Sequence, residues 1–224
     1  MPRIFLHSPA PVLACLLAFT CHTSRLAAGN VVVIVKDTKG QPVTDAVVSL
    51  IPLEASAPAP LHPPVEPVVI SQHGEEFDPY VTVVAVGTHV SFPNLDSIRH
   101  QVYSLSKTKP FEIPLYGSGT EQSILFDRPG IVALGCNIHD WMSAYLVVVE
   151  TPHFMKTAGD GVARLAELPA GRYRLDVWHP RLAGESRRDL VVAAADAATQ
   201  TISVTLKPDR RIRRAPDGAG GGYK

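Results

Sequence analysis

Apolar residues along the chain come in short runs, rich in Val, Ile, Leu and Tyr and bounded by Gly, Pro, Asn or Asp. That is the pattern of strands and turns. VVVIVKD, DAVVSLIP, YVTVVAVGTHVSFPN, HQVYSLS, GIVALG, AYLVVVE, RYRLDVWH and TISVTLK are the runs that read this way. No long stretch carries an apolar stripe at helical spacing. AGESRRDLVVAAADAATQ is alanine-rich, but its DLVVAAAD centre reads equally well as strand and turn. The expected fold is all-β, and the chain is long enough for two small sandwiches.

Two segments fall outside this pattern. The first residues, MPRIFLHSPAPVLACLLAFTCHTSRLAAG, place an early Arg3 before a short apolar stretch and end in small residues, so residues 1–28 read as a secretory signal peptide cut near Ala28. The apolar stretch is too short and too interrupted for a transmembrane span. LEASAPAPLHPPVEP, residues 53–67, is dense in Pro and Ala and reads as an extended linker. It separates residues 30–52 from a block at 68–150, after which a third segment runs from 151 to 208. The end of the chain, 209–224, is basic and then glycine-rich, the composition of a disordered tail.

Charge adds an exclusion. Lys and Arg number 21 and Asp and Glu 21, so nothing asks for nucleic acid or an anionic membrane as partner. Removal of the leader also takes away Cys15 and Cys21, which leaves Cys136 as the single thiol of an exported protein. A lone cysteine in that setting is an intermolecular bridge, a reactive thiol or a metal ligand.

Its neighbours favour the last. CNIHDWM, residues 136–142, carries a thiol, an imidazole and a thioether at Cys136, His139 and Met142. All three are soft or borderline ligands, and one Cys, two His and a weak axial Met suit copper in both oxidation states. The set demands a second histidine on a strand of the same block. His100, in VSFPNLDSIRHQVYS, meets that demand, whereas His73 and His89 read as exposed polar residues. Ile138 and Trp141 flank His139 and either form an apolar surface or, for Trp141, part of the core; Asp140 reads as facing water.

With these residues in view, the central block resembles a cupredoxin, the family of small blue copper proteins. FDPYVTVVAVGTHVSFPNLDSIRHQV is similar to its F-x-P, V-x-x-G-x-x-V-x-F-x-N-x-D-x-x-x-H segment, and FDRPGIVALGCNIHDWMSAYLVV to its closing segment. The ligand loop is similar to that of amicyanin and pseudoazurin, in the manner of plastocyanin-like proteins labelled methylamine utilization proteins. The resemblance implies a cupredoxin Greek-key sandwich holding one mononuclear type 1 copper. His100 would be the strand ligand, Cys136 the thiolate, His139 the loop ligand and Met142 the axial ligand. Many cupredoxins have Asn directly after the first histidine; here that place holds Gln101.

The flanking segments suggest a second module. VVVIVKDTKGQPVTDAVVSLIP and TAGDGVARLAELPAGRYRLDVWHP resemble two halves of a prealbumin-like, carboxypeptidase regulatory-like sandwich. Residues 30–52 and 151–208 are then expected to close one sandwich with the copper block inserted, which is physically tolerable because domain termini often lie together. Trp178 and His179 read as satisfied edge residues. No Ser-His-Asp set, carboxylate pair or phosphate loop stands in a convincing context, so no enzymatic activity is expected. The expectation is a periplasmic one-electron carrier serving a redox protein partner; copper delivery or sensing, or a metal-free adhesion or scaffold module, are the alternatives.

Overall fold

The computed structural model describes residues 28–54, 61–193 and 197–210. The expected signal peptide up to residue 27, the centre of the linker and the tail from residue 211 lie outside the described residues. Among the described residues every regular element is a strand, so the chain is all-β.

Strand pairing sorts the strands into two groups. In the first, β1 (Ala28–Asp37) lies between β14 (Val162–Pro169), antiparallel, and β17 (Ala197–Val204), parallel. A second sheet of this group runs in the order β13 (Phe154–Lys156), β2 (Val47–Pro52), β15 (Gly171–Trp178), β16 (Ser186–Val192). The two sheets share one core: Val31, Val33 and Val35 of β1 meet Val48 and Leu50 of β2 and Tyr173, Leu175 and Val177 of β15. Alternation explains this, since side chains i, i+2 and i+4 of a strand point to one face. Strands before residue 53 thus pair only with strands after residue 153.

The second group lies wholly between them. Its five-stranded sheet has the order β6 (Val81–Ala85), β12 (Ser143–Val149), β11 (Gly130–Gly135), β8 (His100–Ser104), β9 (Phe111–Tyr116). Opposite it run β10 (Ser123–Phe126), β7 (Thr88–Ser91) and β3 (Val68–Val69), with a small hairpin of β4 (Ser71–His73) and β5 (Glu76–Asp78) beside them. Phe92, Phe126, Val102, Val132 and Leu146 fill the core. The strand FEIPLY carries no clear alternation and contains Pro114; it forms β9 at the sheet edge, where a missing N–H costs no ladder bond.

β12 explains its own continuous apolar run. Ala144, Leu146 and Val148 enter the core of the second group, whereas Tyr145, Val147 and Val149 point the other way onto Val47 and Trp178 of the first. A strand covered on both faces has no polar side to display. At this junction the Tyr145 ring lies 5.7 Å from both Tyr80, edge to face, and Trp178. Lys156 adds an ion pair to Asp45 at 2.9 Å and a hydrogen bond to the Val81 carbonyl at 2.8 Å.

His153 and His179 sit half-buried and buried in the first group, and burial holds both imidazoles below the ordinary value of 6.5; for His179 the nearby Arg181 acts in the same direction. The unfolded chain therefore takes up protons more readily. Stability from these groups is present above about pH 6.5 and is lost as pH falls through their lowered values. The melting temperature should drop between about pH 7.5 and about pH 5, and His179→Gln should show a smaller drop than wild type; equal slopes would contradict the assignment.

Candidate metal centre

The site is built where two loops meet at one end of the five-stranded sheet. After β7 the chain turns through Phe92–Arg99 before β8 begins with His100. Asn94 shapes this turn from inside. Its side-chain oxygen accepts the Asp96 N–H at 2.9 Å, and its amide donates to the carbonyls of Ile98 at 2.8 Å and Tyr116 at 3.0 Å. This is the local side-chain to backbone bonding that favours Asn and Asp in turns.

The turn presents Asp96 to three donors. The backbone N–H groups of Gly74 and Glu75 reach its two oxygens at 2.6 and 2.8 Å, and His100 Nε2 lies 2.8 Å from Oδ2. Gly74 and Glu75 are the central residues of the β4–β5 hairpin, with φ of 62° and 58°, the left-handed pair that a two-residue hairpin turn needs. Burial alone would raise the Asp96 carboxyl, but hydrogen bonds from Glu75, Gly74 and His100 outweigh it and hold the group below its ordinary value. An ionised Asp96 only accepts, so His100 Nε2 carries the proton and a neutral His100 presents the Nδ1 lone pair.

The second loop joins β11 to β12. Gly135 precedes it and passes tightly against Tyr103, whose ring would lie 2.8 Å from any Cβ at that position. Cys136 follows, buried, and the Met142 N–H closes the loop onto the His139 carbonyl at 2.9 Å. Trp141 packs against the core, stacks obliquely on His139 at 5.3 Å and donates its indole N–H to the Glu75 carbonyl at 3.1 Å. Ile138 beside His139 is 50% exposed, and Asp140 faces water.

Donor atoms of His100, Cys136 and His139 all lie within 4.8 Å of one another. His100 Nδ1 is 3.2 Å from His139 Nδ1, and Cys136 Sγ is 3.9 Å from the latter. Nitrogen at about 2.0 Å and sulfur at about 2.3 Å from a common centre are compatible with those separations. The chemistry agrees with the geometry. Two imidazoles and a thiol converge on one point, with His100 fully buried, and their soft and borderline donor atoms can hold a cation there. The donors present therefore fit a soft or borderline metal ion.

The structure thus brings together three of the four residues expected as ligands. Met142 is 2% exposed and belongs to the same core cluster as Cys136. His73 and His89 are exposed and stand outside the cluster. Gln101 does not brace the ligand loop: its amide donates to the Glu112 carboxylate on β9. Sequence reasoning missed the bracing role of Asp96 and Glu75. The spacing of Asp96, four residues before His100, was the only signal; the hairpin that completes the brace comes from residues 73–76.

No protein-family model matches the chain, and no curated protein matches it. Solved structures are similar over part of its length. A purple cupredoxin from Nitrosopumilus maritimus is 22% identical, over 37% of this chain and 99% of that one, with a TM-score of 0.33. The reduced form of an amicyanin variant is 18% identical, over 47% and 99%, with a TM-score of 0.36. A copper-containing nitrite reductase from Thermus scotoductus is 29% identical over 54% of this chain but only 28% of its own, with a TM-score of 0.37.

Asp96→Asn keeps the size of the brace and removes its charge, so the fixed tautomer of His100 is lost. Affinity for Cu(II) or Co(II) should fall about 10- to 100-fold in a competition titration against a chromogenic chelator. Unchanged affinity would show that the brace does not orient the ligand.

Proposed function

We propose that the chain is an exported one-electron carrier with a single type 1 copper held by His100, Cys136 and His139, and with Met142 as weak axial donor. The observation that carries this reading is the convergence of two imidazole nitrogens and a thiol within 4.8 Å, beneath a loop that also contains Met142. Copper bound there would supply one-electron redox chemistry, which a Cys, two His and thioether set supports in both oxidation states.

The chain's own contribution is rigidity. His100 is fixed by Asp96, which in turn is fixed by Asn94 and the β4–β5 turn. His139 is held by its own carbonyl bond to Met142 and by the Trp141 ring. Ligands that move little between oxidation states keep the reorganisation cost of electron transfer low. Binding also requires Cys136 as thiolate and unprotonated metal-facing nitrogens, so acid opposes metal uptake.

The half-exposed Ile138 beside His139 gives a redox protein partner an apolar contact close to a ligand. The leader-like first residues support a periplasmic location.

The decisive measurement is the visible spectrum of the purified protein with Cu(II), followed by voltammetry. An intense thiolate-to-copper band and a reversible couple are expected. Cys136→Ser should abolish the band, whereas Met142→Leu should retain copper and shift the potential upward, because loss of a weak axial donor destabilises Cu(II). A full band in Cys136→Ser would refute the ligand assignment, and a copper complex without a reversible couple would point to delivery instead.

A further inference from the structure

The junction between the two groups of strands contains a cleft of about 460 Å³, lined by Tyr80, Ser143, Tyr145, Arg181, Lys207 and Arg210, among others. Its volume lies in the range of small-molecule sites. Nothing in the metal centre uses it, although Ser143 directly follows Met142 in the chain.

Its charged wall is firmly built. The Arg181 N–H bonds His179 Nδ1 at 3.1 Å, and Leu182 N–H bonds the His179 carbonyl at 2.9 Å, which makes a tight turn after β15. Arg181 and Lys207 then clasp each other: Lys207 N–H donates to the Arg181 carbonyl at 2.7 Å, and Arg181 Nε to the Lys207 carbonyl at 2.7 Å. With Nε so engaged, the terminal nitrogens of Arg181 and the ammonium of Lys207 have no carboxylate partner among the described residues. Arg210 adds a third cation to the lining, against a single carboxylate, Asp209.

The opposite wall is aromatic. Tyr80 and Tyr145 are half-buried and set edge to face at 5.7 Å, with the Tyr145 N–H held by the Tyr80 carbonyl at 2.9 Å. Cations on one side and preformed rings on the other are complementary to a flat, apolar body with one negative end.

We propose that this cleft binds a small aromatic carboxylate, its carboxylate held by Arg181 and Lys207 and its ring against Tyr80 and Tyr145. An acidic peptide would share the charge but not the need for an enclosed aromatic wall. The site stands on residues outside the metal cluster and does not depend on the copper reading.

The test is titration of the full chain, with and without copper, by benzoate, acetate and a glutamate-rich peptide, followed by calorimetry and amide chemical shifts. Saturable benzoate binding is expected, with shifts around Tyr145 and Arg181, weaker binding of acetate and loss of affinity as salt is raised. Lys207→Gln, an exposed position, should weaken benzoate at least tenfold (about 1.4 kcal/mol) without changing the melting temperature, and Arg181→Gln should do the same if it folds. Absence of saturable binding, equal binding by Lys207→Gln, or binding of the peptide in place of benzoate would each overturn the proposal.

Discussion

One carboxylate holds the metal-site end of the molecule together. Asp96 accepts hydrogen bonds from the Gly74 and Glu75 backbone and faces His100 Nε2, so two segments distant in sequence, the hairpin turn and the turn that leads into β8, share one ionised group. Each bond is charge-assisted and partly shielded from water, where such bonds are stronger than neutral ones. The same hairpin carbonyl, Glu75, receives the Trp141 indole, so the loop bearing His139 is tied to the brace that orients His100. Positioning of two imidazoles thus reduces to the ionisation of one side chain and the shape of one two-residue turn.

The second constraint is β12. It begins one residue after Met142 and sends alternate side chains into two different cores. Displacing it would disturb the packing beneath the ligand loop and the Tyr145–Trp178 contact together. Interiors are close-packed and transmit small displacements, so the ligand loop and the junction are mechanically joined through this strand.

Much of this was legible in the sequence, and the omissions have physical reasons. RYRLDVWH announced its strand by alternation because one face is buried, VVVIVKD by its β-branched content, and the apolar AYLVVV because both of its faces are covered. The cluster of His100, Cys136 and His139 was legible because one short loop carries a thiol and an imidazole, and that donor set asks for a second histidine on a nearby strand. The brace was hidden, since an Asp in a turn is ordinary and its partners are backbone N–H groups, which carry no residue identity. β9 was hidden by Pro114, which is tolerated only because the strand lies at an edge. The Arg181–Lys207 clasp joins carbonyls to distant residues, a pairing that composition cannot reveal.

The strand before the first crossing and the segment after the second lie side by side. Thr151 Oγ1 bonds the Leu50 carbonyl, 101 residues earlier in the chain, at 2.7 Å, and Phe154 is paired with Ser49 across β2 and β13. Closing a flexible loop of that length carries an entropic cost that grows with the logarithm of its length. A folded block between those two segments removes part of that cost. Order in the central block therefore becomes cohesion in the strands that flank it.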